Sequence, residues 1–401
     1  MNALILSAAL DTNGQNQRYK AASEKWGTAE GVLKALALGT YDPAGVIGRY
    51  QAGAEKVGLR IRSAHRSTHI YQQMPADILW NRSTHSMVRE LATEADLIHL
   101  NNSWRPWQQL HIGIRKPMLL HHHGSLFRSD PKGMLRQAER MGAVQCVSTI
   151  DLQRMAPERL HWAPTAYDVD WLAAFGADNR REPDGRILVV SAPTNREIKG
   201  TALLEDAIRV LQSDGLPVDL ELIEGKPWLE GMRLKARADI YFDQVGLGYG
   251  CNAVEAWGMG IPVIAGAEEW TLNRMKALWG SLPFYTATEA TTGMAVARLA
   301  DNPERRARWA KKGMAHIRRY HDELPALTRL AELYRMAMDN LPYKVNDPIP
   351  PVRFTANQAQ VRIFSRPWNF PCEVDNPTVA TRIRLFALRY PKYGIQEVTD
   401  A

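Results

Sequence analysis

Residues 248–264 read GYGCNAVEAWGMGIPVI, and no other stretch constrains the fold as tightly. Gly248 and Gly250 allow a tight turn whose backbone amides can approach an anion closely. The run CNAVEAWG then reads as a short helix, and Gly-Ile-Pro leads into a β-branched strand. The helix start adds its dipole at the turn, and Glu255 falls about two turns into the helix, where it can face the same pocket. A loop, helix and strand arranged in this way can hold both a phosphate and a ribose.

The rest of the chain alternates short apolar runs with amphipathic stretches, the pattern of parallel sheets covered by helices. Strands are expected at residues 3–9, 59–64, 96–100, 117–121 and 143–148, forming one doubly wound half. A polar, small-residue linker at 164–183 separates these from a second set at 186–191, 218–223, 239–243 and 261–265. Ligands sit at the carboxyl ends of such strands, so two facing halves place a ligand cleft between them.

Composition narrows the alternatives. With 401 residues and 45% hydrophobic content the chain can bury a full core, and a prior of about 150 residues per domain gives two or three units. Cys146, Cys251 and Cys372 are widely spaced and odd in number, which favours a reducing compartment and a cytoplasmic location. The first ten residues lack a basic leader and run into Asp11, so a buried strand is expected there rather than a signal peptide. No segment reaches the roughly 18 apolar residues of a membrane span. The net charge of +7 permits an acidic partner without requiring one.

Near the end of the chain, Asp301-Asn302-Pro303-Glu304 carries the signals of a helix start, and the arginines and lysines that follow read as a solvated face. Beyond residue 343 the composition shifts. Residues 347–351, DPIPP, form a stiff link, and the remainder is rich in arginine and aromatic residues. This segment is expected to fold against the body or a partner.

These residues together carry a resemblance. SAPTNREIKGTALLEDAI (191–208), ADIYFDQVGLGYGCNAVEAWGMGIPVIAG (238–266), EADLIHLNN (94–102), KPMLLHHHGSLFR (116–128) and VSTIDLQRMAPERLHWAPTAYD (147–168) resemble, in order and spacing, segments of the retaining GT4-type glycosyltransferases. The resemblance implies an α/β GT-B fold, two Rossmann-like doubly wound domains facing across a cleft. Residues 1–167 would form the acceptor-side domain, completed by a helix at about 322–342. Residues 168–321 would bind the nucleotide sugar, and 343–401 would be a small C-terminal extension with no counterpart in the family.

The same resemblance assigns roles. Lys199 matches the lysine on the donor diphosphate. The family's companion arginine falls at Thr194 here, leaving Arg196 as the candidate. Glu255 matches the acceptor of hydrogen bonds from the ribose hydroxyls, a role that suits a bidentate carboxylate. Gly250 and Tyr249 belong to the same turn. The family's donor-sugar glutamate is replaced by Leu247, and Asp243 and Gln244 either substitute for it or are structural. Gly14 lies in an expected loop near the phosphates and acceptor. His123 matches the active-site histidine, and Arg128 either holds substrate or starts a helix.

The three histidines at 121–123 invite a metal reading, but consecutive side chains on a strand face opposite sides and no acid or cysteine cluster accompanies them. Asp168-Val169-Asp170 mimics a metal motif but falls in the linker. No metal and no cofactor are expected. The donor would be a UDP- or GDP-sugar, and fixed cations and amides would stabilise its leaving diphosphate. The acceptor is left open between a saccharide, a lipid-linked intermediate, a protein and a modified nucleic-acid base. A non-catalytic sugar-nucleotide-binding protein is the reading from another class.

Overall fold

A computed structural model describes residues 32–339 apart from 41, 43, 68–73, 75 and 111, together with the backbone of four short strands in the C-terminal segment. The expected strand at 3–9 and the Gly14 loop lie outside the described residues.

The first lobe is built on a seven-stranded parallel sheet. In chain order its strands are β1 (Leu33–Gly39), β2 (Leu59–His65), β3 (Ile78–Leu79), β4 (Leu97–Asn101), β5 (Met118–His122), β6 (Val144–Val147) and β7 (Leu160–Trp162). Their spatial order is β3-β2-β1-β4-β5-β6-β7. Such a sheet is covered on both faces, so its strands read as near-continuous apolar runs. Every residue of β4 and β5 is buried.

One strand of this sheet was not among those expected: Leu33–Gly39, which pairs with β2 on one side and β4 on the other. The chain then turns through Gly45 (φ 66°) into helix Val46–Gly53. Asp42 closes this helix start by accepting from the backbone amides of Val46 (3.1 Å) and Ile47 (2.8 Å).

The second lobe has six strands: β8 (Ile187–Ser191), β9 (Val218–Leu222), β10 (Ile240–Gln244), β11 (Leu247–Gly248), β12 (Val263–Ala267) and β13 (Tyr285–Thr286). The order is β11-β12-β10-β8-β9, with β13 also beside β12, and all pairings are parallel except that of the two-residue β11.

Two long helices finish the described body. Helix Pro303–Tyr320 starts as expected, with Asn302 accepting from the Arg305 amide and proline in the first turn. Helix Glu323–Asp339 returns to the first lobe. Its Leu327, Leu330, Leu333 and Tyr334 share one buried cluster with Ala35 and Ala37 of β1, Leu97 of β4 and Leu119 of β5. At the crossing, the Tyr167 amide donates to the His321 carbonyl at 2.7 Å. In the C-terminal segment, Val352–Thr355 pairs with Ile395–Val398 in parallel and Val361–Ile363 with Cys372–Val374 in antiparallel fashion. Among the described residues, no helix is long and apolar enough to cross a membrane.

Candidate functional site

The carboxyl end of the second sheet carries the candidate site. After β8 the chain forms the single-turn helix Arg196–Lys199, with Asn195 accepting from the Ile198 amide and Gly200 (φ 68°) ending the turn. This brings the Lys199 ammonium over the end of β10, where it donates to Oδ1 of Asp243 at 2.7 Å. Oδ2 of Asp243 accepts from the Gly250 amide, also at 2.7 Å. One buried carboxylate thus holds the lysine and the first amide of helix Cys251–Gly258 together.

Gly250 has extended backbone (φ −118°, ψ −171°), so its conformation does not require glycine. A Cβ there would stand 3.7 Å from Asp243 Oδ2 and 3.8 Å from Lys199 Nζ, ordinary contact distances, so sterics do not require glycine either. Gly248 is a stricter case, with φ 86° and a would-be Cβ only 2.5 Å from the Met275 methyl.

Glu255 lies on the same helix and is 1% exposed. Its Oε1 accepts from the Trp228 indole N–H at 3.0 Å, and its Oε2 pairs with Lys235, which is 3% exposed. Lys235 also donates to Asn252 Oδ1 at 2.8 Å, one helical turn before Glu255. A third partner comes from the opposite lobe, since Nη2 of Arg49, on helix Val46–Gly53, forms an ion pair with Oε1 at 3.5 Å. The Arg49 guanidinium lies 3.9 Å from the Tyr167 ring centroid. Glu255 is therefore a buried carboxylate at the interlobe face, already held by side chains.

In the first lobe a column of histidines runs along β4 and β5 to the residue that follows β5. His121 and His123 share a face with ring centroids 4.2 Å apart, while His122 turns to the other side against Phe127. Ser148 Oγ bridges His121 Nε2 (3.0 Å) and His123 Nδ1 (2.6 Å), and His123 Nε2 meets Asn101 Oδ1 at 2.6 Å. With the Asn101 oxygen assigned as acceptor, His123 carries its proton on Nε2 and accepts at Nδ1. Burial, reinforced by neighbouring His122, pushes its pKa down to about 3, so the ring is neutral. Below it His99, also held at about 3 by burial, meets the Tyr334 hydroxyl at 2.9 Å.

Several expected residues sit elsewhere. Arg196 is 53% exposed on its side chain and turned to the surface. Its guanidinium donates twice to Glu224 and once to Glu205, which raises its pKa and commits the charge away from Lys199. The Tyr249 ring points into the core because its hydroxyl is fixed by His316 (3.0 Å) and His321 (2.9 Å). Arg128 is paired with Asp151. Leu247 forms β11 opposite Ala267. Asp168 caps helix Val169–Asp178 through the Trp171 amide, whereas Asp170 pairs with Arg318 at the surface. Among the described residues, no cluster of three histidine, cysteine or acidic side chains is placed to hold a metal.

Arg49, Trp228, Lys235, Asn101 and Ser148 were not legible as site residues. Lys235 lies in the run MRLKAR, which reads as an ordinary solvated helix face.

No protein-family model matches the chain, and no curated protein matches it. Solved structures do. An α-glucosyltransferase in complex with UDP-glucose and DNA containing an abasic site superposes with a TM-score of 0.55 at 8% identity, covering 76% of this chain and 99% of that one. HepE of Anabaena, in complex with UDP and glucose, gives 0.55 at 14% identity over 76% of this chain and all of that one. Sucrose-phosphate synthase of Thermosynechococcus elongatus gives 0.51 at 13% identity over 77% and 100%. The fold is GT-B. At these identities the likeness concerns architecture alone.

Proposed function

We propose that the protein is a glycosyltransferase that moves a sugar from a nucleotide-diphosphate sugar to an acceptor hydroxyl. The observation that carries this reading is the placement of Lys199, the Gly250 amide and Glu255 around one helix at the interlobe face, with Arg49 of the opposite lobe reaching Glu255. The neighbours bound to UDP-glucose and to UDP with glucose share this architecture.

In this reading the donor diphosphate takes the place of the Asp243 carboxylate as partner of Lys199 and of the Gly250 amide at the start of helix Cys251–Gly258. The ribose hydroxyls engage Glu255 after Arg49 yields. The acceptor oxygen attacks the anomeric carbon on the face from which the diphosphate departs. As the bond between that carbon and the phosphate oxygen breaks, its electron pair stays on the phosphate, which takes the acceptor's proton. The configuration is thereby retained.

Lys199 and the helix dipole oppose the charge developing on the leaving group, so no divalent ion is required. His123, neutral and oriented by Ser148, exchanges Asn101 for a sugar or acceptor hydroxyl at Nε2. Lobe closure excludes water.

Donor hydrolysis in a panel of UDP- and GDP-sugars, with and without chelator, tests the reading. It expects slow, chelator-insensitive release of one nucleoside diphosphate that Lys199→Ala lowers by about 10²-fold. Unchanged release in that variant would overturn it.

A second reading concerns the acceptor. Two of the structural neighbours were captured with DNA, one of them carrying a modified base, and this chain carries a net charge of +7. A hydroxylated DNA base as acceptor predicts duplex binding that weakens steeply with salt.

A further inference from the structure

Beside the crossing between lobes lies a cavity of about 370 Å³ that is separate from the Lys199 and Glu255 cluster. It is formed where the end of β7, helix Glu269–Trp279 and the junction of the two long helices meet. Three rings make its aromatic wall: the centroid of Trp162 is 5.2 Å from that of Trp279 and 5.7 Å from that of Tyr320. Arg274, Arg319 and Arg329 also line it, and no carboxylate does.

The arginines differ in how firmly they are held. Arg274 Nε donates to Gln153 at 3.1 Å, and Arg329 Nε donates to the Trp162 carbonyl at 3.2 Å, so both forks are fixed in place. Arg329 is also paired with Glu332, whereas the exposed Arg319 rests against the Tyr320 ring, 5.2 Å from its centroid. Three guanidinium groups around a partly desolvated hollow favour an anion, because charge-assisted bonds strengthen as water is excluded. The neighbouring rings favour a flat or cyclic body. The volume falls at the small end of ligand sites.

We propose that this cavity is a second binding site, for a small ring compound carrying a phosphate group. Residues of both lobes line it, so its occupant would bridge them.

Calorimetric titration of the full-length protein with phenyl phosphate and with inorganic phosphate tests this site. Phenyl phosphate is expected to bind about tenfold more tightly than inorganic phosphate, because only it uses the aromatic wall. Arg319→Glu, a change at an exposed position, is expected to weaken phenyl phosphate by about tenfold or more, and Arg274→Gln by a similar factor. Lys199→Ala, which alters only the cleft, is expected to leave it unchanged. Equal affinity for the two probes, insensitivity to both arginine changes, or loss of binding in Lys199→Ala would each overturn the proposal. The last result would place the probe in the cleft.

Discussion

Arg49 and Glu255 belong to opposite lobes, yet the guanidinium of one stands 3.5 Å from the carboxylate of the other. Glu255 is simultaneously paired with Lys235, and both of those side chains are almost wholly buried. Removing one member of a buried pair leaves an uncompensated charge, at a cost of about 3–5 kcal/mol. Glu255→Ala is therefore expected to lower the unfolding free energy by that order, as denaturant titration would show. Loss of activity in that variant would then report folding as much as ligand binding. Glu255→Gln keeps the shape and the Trp228 contact but also removes the counter-charge of Lys235, so it is expected to destabilise less than Glu255→Ala and to weaken nucleoside diphosphate binding about tenfold at a temperature where circular dichroism shows the variant folded.

Lys199 and Asp243 form a second test. Lys199→Met leaves the fully buried Asp243 carboxylate with the Gly250 amide as its remaining described partner. A measurable fall in melting temperature is expected. The double change Lys199→Met with Asp243→Asn removes both charges and is expected to recover most of that fall without recovering nucleotide affinity. Recovery of affinity in the double variant would mean that the lysine serves only to neutralise the aspartate.

Arg196 should behave differently from Lys199 despite lying three residues away on the same turn. Its bonds to Glu224 and Glu205 are exposed and screened by solvent. Arg196→Ala is expected to leave nucleotide affinity within about twofold, since an exposed ion pair rarely contributes much. A loss of ten times or more in a direct binding measurement would return this arginine to the site.

The buried histidines make stability depend on pH. His123 and His99 sit at about 3, His122 and His321 at about 4 and His316 at about 2, against 6.5 when solvated, with burial the leading cause in every case. Their folded values lie below their unfolded value, so between the two the unfolded chain binds more protons. Stability is thus complete above about pH 6.5 and falls as acid is added, with each histidine held near 3 costing about 2 kcal/mol at pH 5. Thermal unfolding at pH 7, 6 and 5 should show a steadily falling midpoint. A midpoint that does not move over this range would mean these rings are already solvated.

Much of the sheet scaffold was legible because parallel strands buried on both faces read as continuous apolar runs, as at β4, β5 and β10. Strand Leu33–Gly39 was not, because LKALALG interleaves small and large apolar residues around a lysine and suits a helix as readily as a strand. Lys199 and Glu255 could be placed because each follows a recognisable strand and turn. Lys235 and Arg49 carried no such signal: their burial arises from contacts between elements distant in the chain, which local pattern does not encode. For Arg196 the sequence gives a position on a turn but not Glu224 and Glu205, the acids that engage its side chain at the surface.

Helix Glu323–Asp339 contributes Leu327, Leu330 and Tyr334 to a cluster whose other members include residues of β1, β2, β4, β5 and β6, of helix Val46–Gly53, and Ala163 and Ala166 after β7. During synthesis, this face of the earlier sheet must wait for residues almost three hundred positions later before it is covered. A ribosome-bound fragment that stops after β7 would keep that face open to chaperones, and the later half, although made second, has the better prospect of settling first.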